Sequence, residues 1–108
     1  MQAATALPEV DQMADLGRFL MALGDPTRQQ IVLLLSRTRL NVGDLSERFQ
    51  LSRPAISHHL KVLTDAGLLV RDRQGRERLY RLDATRCLQF VERLRTFVSS
   101  CCRDAQCC

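Results

Sequence analysis

The chain has 108 residues, 45% of them hydrophobic, with four Phe, one Tyr and no Trp; it is one domain's length, and Leu, Val and Ile must fill its core. Fifteen Arg and a single Lys against twelve acidic residues give a net charge of +4, a balance that suits an anionic polymer or surface without naming one. No run of about eighteen apolar residues occurs, and the N-terminal stretch carries acidic Glu9, Asp11 and Asp15 in place of a basic region and an apolar run; a membrane span and a secretory signal are both unexpected, and a cytoplasmic, reducing location follows.

Residues 1–9 are small and featureless and are expected to fray. From Asp11 to Leu23 the apolar positions Met13, Leu16, Leu20 and Leu23, with Phe19, fall at helical spacing. Gly24 ends that helix, and Asp25-Pro26 starts the next, with Asp25 as N-cap and Pro26 in the first turn. Its buried side is Ile31, Val32, Leu34 and Leu35. A short helix from Asn41 or Val42 to Phe49 follows, then a tight turn at Gln50-Leu51. Ser52 and Pro54 open a further helix, which stops at Gly67. Leu68 to Arg71 and Arg76 to Leu82 read as strands joined by a tip at Asp72-Arg73-Gln74-Gly75, with Gly75 supplying a positive φ. Helical spacing returns from Asp83 to about Cys102, with Cys87, Phe90, Val91, Leu94, Phe97, Val98 and Cys101 on one stripe.

The order is helix, helix, helix, turn, helix, hairpin, helix. It describes one mainly α domain over 1–108 with a small β-hairpin: a winged helix-turn-helix with additional N- and C-terminal helices, and a cysteine-rich tail over 101–108. On a helical wheel, residues 53–64 place Ile56, His59, Leu60, Val62 and Leu63 on one side and Arg53, Ser57, His58, Lys61 and Thr64 on the other. The second face holds donors and no carboxylate before Asp65, as a surface presented to base edges and phosphates requires. Five arginines, Arg71, Arg73, Arg76, Arg78 and Arg81, crowd the hairpin. Asp72 and Glu77 are interleaved with them, so some make only surface ion pairs. Arg73 at the tip and Arg76 are the expected DNA contacts; Arg71 and Arg81 are expected to support the fold. His58 faces the groove side, and His59 is expected to be a buried, hydrogen-bonded side chain.

Leu23-Gly24-Asp25-Pro26-Thr27-Arg28, the run Leu51-Ser52-Arg53-Pro54-Ala55-Ile56-Ser57-His58-His59-Leu60-Lys61-Val62-Leu63, and Ala66-Gly67-Leu68-Leu69 leading to Gly75-Arg76 and Tyr80 together resemble the ArsR/SmtB family of metal-responsive repressors over roughly residues 15–100. The resemblance implies a homodimer joined through its first and last helices, a palindromic double-stranded operator, and release by a metal; the family's Ser-His pair on the recognition helix matches Ser57 and His58. Periodicity is compatible with that dimer. Leu16, Leu20 and Leu23 form one candidate seam and Phe90, Val91, Leu94, Phe97 and Val98 another. Two-fold symmetry would set the recognition helices about 34 Å apart.

Four of the five cysteines lie in the last eight residues, Cys101, Cys102, Cys107 and Cys108. Clustered thiolates select soft, thiophilic ions. The family's cysteine site in the first helix of the helix-turn-helix is absent, since Leu40-Asn41-Val42-Gly43-Asp44-Leu45 has no Cys, and its Asp/His zinc site is absent because the last helix has no His. The terminal cluster remains, and it resembles arsenic-responsive members with an adjacent pair and a third cysteine downstream. Trivalent arsenic or antimony takes a pyramid of three thiolates. Cys101 and Cys102 would supply two, and Cys107 or Cys108 the third; an organoarsenical with one carbon substituent needs only two. Cys87, some 20 Å away by helical rise, reads as a small core side chain.

The rival readings are a redox switch pairing Cys101 or Cys102 with Cys107 or Cys108, a sensor of cadmium- or mercury-type ions, and a thiol buffer whose DNA affinity ignores the metal. No Ser-His-Asp pattern, phosphate loop or metal-hydrolase motif is present, so no enzyme and no catalytic cofactor are expected.

Overall fold

The computed structural model describes the backbone of residues 2–104 and the side chains of residues 13–103. Its elements are α1 (Gln2–Leu23), α2 (Pro26–Leu35), α3 (Val42–Phe49), α4 (Arg53–Asp65), β1 (Leu69–Gln74), β2 (Glu77–Leu82) and α5 (Ala84–Asp104). Three polar side chains start α2, α3 and α4 by accepting from an otherwise unpaired backbone N–H. Asp25 accepts from Arg28 N at 3.0 Å, Asn41 from Asp44 N at 2.8 Å and Ser52 from Ala55 N at 3.2 Å. Asp83 does the same for α5, from Arg86 N at 3.2 Å. The turn between α3 and α4 rests on Gln50, in the left-handed region at φ 53, and on Ser46, whose hydroxyl donates to the Leu51 carbonyl.

Ile31, Leu45, Ile56, Leu60, Leu63 and Leu68 are almost fully enclosed. Each contributes about 1.5–3 kcal/mol by leaving water. They are one inward residue from α2, one from α3, three from α4 and one from the turn after it, so the helix-turn-helix is built around the core. α1 and α5 join it through a stack of Phe19 on Phe90, 4.7 Å between ring centres. Gly67, at φ 92, lets the chain leave α4 beneath α5; a Cβ there would stand 2.9 Å from Arg86 Nε and 3.2 Å from the Phe90 ring.

The hairpin is antiparallel, with Leu69 opposite Leu82, Arg71 opposite Tyr80, Arg73 opposite Arg78 and Gln74 opposite Glu77. Leu40 bridges to Tyr80 on the outer side of β2 and fixes the hairpin to the α2–α3 loop. Among the described residues no helix is long and apolar enough to cross a membrane.

Two expected boundaries move. α1 starts at Gln2 rather than Asp11. The hairpin turn is Gly75-Arg76 alone, so Asp72, Arg73 and Gln74 belong to β1. Gly75, at φ 62, takes the first loop position, as a type II′ turn requires. Arg76 therefore sits at the tip and Arg73 does not.

Candidate nucleic-acid interface and thiol site

α4 divides as its spacing predicts. Ile56, Leu60 and Leu63 are buried, while Arg53, Ser57, His58 and Lys61 are exposed. Lys61 Nζ lies 3.0 Å from Asp65, a solvated pair of little energetic weight that leaves the ammonium available. The Arg53 guanidinium folds back over the start of α3. A Cβ on Gly43 would come within 2.9 Å of it, so the glycine makes room for it.

The hairpin sorts its charges by face, because successive strand residues point to opposite sides. Arg71, Arg73, Arg78 and Tyr80 share one face with Leu69 and Leu82; Asp72, Glu77 and Arg81 share the other. On the acidic side Asp72 lies 2.7 Å from Arg81 and 3.6 Å from Arg39, and Glu77 accepts from Asn41 at 2.9 Å. Both hairpin carboxylates are thereby turned toward the body of the protein. On the other side Arg73 and Arg78 stand directly opposite each other, a like-charged pair that is itself unfavourable. Arg71, Arg78 and Tyr80 line one groove with Ser57 and Lys61 of α4. The expected pairing of Arg71 with Arg81 as fold supports thus splits: Arg81 makes the ion pair, and Arg71 lies on the groove side. Sequence reasoning passed over Arg78; strand alternation was the signal that marks it.

His59 is half-buried, and its Nδ1 lies 3.3 Å from Arg28 Nη1. Burial pushes its pKa below the usual imidazole value; the nearby Arg28 and His58 charges push the same way and Asp25 opposes them.

The candidate seam residues separate by burial. Leu16 and Phe90 lie in the chain's own core, and Leu23 and Leu94 pack partly against it. Leu20, Val91, Phe97 and Val98 remain 41–47% exposed. The last four are therefore the free members of the proposed seams, and Leu16 and Phe90 act inside the chain.

Cys101 and Cys102 are free, exposed thiols on the last turn of α5. Cys107 and Cys108 lie outside the described residues. Among the described residues no three His, Cys, Asp or Glu side chains gather as a metal site. The donors fit a soft ion by type: two adjacent thiols can make two bonds. Cys87 is half-buried, with its Sγ 3.8 Å from the Leu68 carbonyl. Burial, seconded by the Asp83 charge, raises its pKa and keeps it a thiol.

A helix-turn-helix whose exposed face is extended by a cationic hairpin defines the class: a winged helix-turn-helix DNA-binding transcriptional regulator. Residues 25–70 match the family model of bacterial regulatory proteins of the arsR family. The chain is 41% identical over 69 residues to an arsenical resistance operon repressor of Staphylococcus xylosus, covering 64% of this chain and 66% of that one. An ArsR-like transcriptional regulator from Rhodococcus sp. RHA1 superposes with a TM-score of 0.78 at 30% identity, over 86% of this chain and 88% of the other. A homodimeric winged helix-turn-helix DNA-binding domain from Mycobacterium bovis, described as a possible ArsR-family regulator, superposes with a TM-score of 0.64 at 26% identity, over 93% and 85% of the two chains. The chain belongs to the ArsR family of transcriptional repressors. That family regulates transcription and is not a family of enzymes.

Proposed function

We propose that the protein is a homodimeric repressor that binds a palindromic operator and leaves it when trivalent arsenic or antimony joins its C-terminal thiolates. The observation that carries the DNA half is the sorting of hairpin charge. Arg73 and Arg78 confront each other with no acid on their face, and Arg71 and Arg78 share a groove with Ser57 and Lys61. Backbone phosphates running between α4 and the hairpin would relieve that repulsion, with Arg53, Ser57, His58 and Lys61 facing the major groove and Arg76 reaching onward from the tip. Arg71→Ala and Arg78→Ala should each weaken binding to all duplexes alike and reduce the salt slope by about one. An unchanged slope removes that arginine from the interface.

The inducer half is supported by the exposed thiol pair at the end of α5, by two further cysteines just downstream, and by the relative that is an arsenical resistance operon repressor. The homodimeric neighbour and the exposed Leu20, Val91, Phe97 and Val98 support the two-fold assembly. Ion binding ties the tail to α5, alters the seam and re-aims α4; release needs a coupling of only about 1–3 kcal/mol. Each thiol proton leaves as water with one hydroxide of the trivalent inducer, so every sulfur bond formed replaces an oxygen bond broken.

The deciding experiment is an anisotropy titration of the labelled operator complex with arsenite, methylarsenite, cadmium and zinc, all in reductant. Release by arsenite, abolished in Cys102→Ser, is expected. Release by cadmium alone makes the protein a soft-metal sensor. Release only without reductant makes it a redox switch, and metal binding without release makes the tail a buffer.

A further inference from the structure

One polar junction belongs to neither site. The last carbonyls of α1 lack the usual helical partners; Gly24 N donates to Met21 O at 3.2 Å, and side chains of α2 reach the same helix end. Arg28 Nε donates to Ala22 O at 2.7 Å and Nη2 to Met21 O at 3.3 Å, while Gln29 Nε2 donates to Leu23 O at 2.8 Å. The remaining arm of Arg28, Nη1, reaches Nδ1 of His59 on α4 at 3.3 Å. One guanidinium thus ties the end of α1, the body of α2 and the inner side of the recognition helix. α1 also carries Leu20 and Met21 on its exposed side, and His59 is the immediate neighbour of His58.

A guanidinium only donates, so Nδ1 of His59 must accept and the ring must be neutral, with its proton on Nε2. The charged groups facing the ring are Asp25 at the start of α2, Arg28, and His58 from its own helix; α1 presents backbone carbonyls to the Arg28 side of the junction. Protonating the ring removes the acceptor and sets a second cation against Arg28. Asp25 offsets part of that charge, but its own carboxylate is engaged by the Arg28 backbone N–H.

We infer that Arg28 and His59 are positioning residues, a strut that sets the orientation of α4 against α1, and that acid opens it and weakens duplex binding. The inference rests on the DNA-binding reading above. It assigns to Arg28 no contact with DNA, and it makes the end of α1 the place where a movement of that helix reaches α4.

The test uses the full chain and a fluorescein-labelled duplex selected from a random pool by the wild-type protein. Affinity is measured at pH 7.5 and 5.5 for wild type, His59→Gln and Arg28→Lys, with melting temperatures alongside. His58 is present in all three, so the comparison between wild type and His59→Gln isolates His59. Wild type should lose several-fold more affinity than His59→Gln on acidification, since a one-unit difference in the His59 pKa between bound and free protein gives about tenfold only at pH well below both values. Arg28→Lys keeps the charge but loses the fork; it should bind several-fold more weakly at pH 7.5 with an unchanged salt slope. A purely structural role would lower the melting temperature and leave the pH profile as it is in wild type. Acid loss persisting in His59→Gln, or wild-type affinity in Arg28→Lys, overturns the strut. A wild-type chain that selects no duplex overturns the DNA reading itself, and the strut's role with it.

Discussion

The two halves of α5 are one continuous helix in opposite circumstances. In residues 84–94 the stripe is mostly occupied: Cys87 and Leu94 pack partly on the core and Phe90 is buried against Phe19, while Val91 is left 47% exposed. In residues 95–104 the stripe continues, yet Phe97 and Val98 are 44% and 47% exposed and Cys101 is exposed as well. The apolar period is the same in both, so sequence periodicity alone could not distinguish them. The near half is held mostly by the chain's own core. The far half is left unclaimed by the described residues, and the thiols sit at its end.

Substitutions can test that contrast. The largest effect is expected at the tip: replacing Cys101 and Cys102 together by Ser should leave operator binding intact and abolish release by arsenite, read by the anisotropy titration. Phe90→Ala, in the near half, should cost about 3–5 kcal/mol of folding stability, read by urea denaturation. Phe97→Glu, in the far half, should change stability by no more than about 0.5 kcal/mol while converting the dimer to a monomer in sedimentation; a dimer that persists removes Phe97 from the seam. The smallest contrast is chemical. Maleimide at neutral pH should label Cys101 and Cys102 well before Cys87, whose burial keeps it protonated, as followed by mass spectrometry of the peptides.

Stability should also respond to His59. Its pKa in the folded protein lies below the usual imidazole value, so the native state disfavours the charged ring. Stability is then lost as pH falls below about 6.5 through the lowered value. Urea midpoints for wild type at pH 7.5 and 5.5, set against His59→Gln, measure that loss.

Much of the fold could be read from the chain because local chemistry dictated it. Asp25, Asn41 and Ser52 cap helices at the positions where side-chain oxygens before apolar periods demand them, and α4 buries the face its spacing selects. The start of α1 escaped notice because alanines form helix without an apolar stripe, and periodicity detects only buried faces. The hairpin turn was displaced because Asp72, Arg73 and Gln74 have loop composition, while register placed them in a strand with polar faces. At the interface, the polar side of α4 was legible residue by residue. The partners were not: Arg28 meets His59 across thirty-one positions, and Asn41 meets Glu77 across thirty-six, separations no local pattern encodes. The exposed thiol pair was legible, and Cys107 and Cys108 fall outside the described residues.

The two-residue turn at Gly75-Arg76 carries an evolutionary consequence. Because each strand step reverses the side-chain direction, slipping the hairpin by one residue would exchange its faces. A single codon inserted beside Gly75 that slipped β2 by one place would set Glu77 opposite Arg73 and Leu79 opposite Arg71, where Arg78 and Tyr80 now stand, replacing a cation of that face by a carboxylate without altering any existing amino acid.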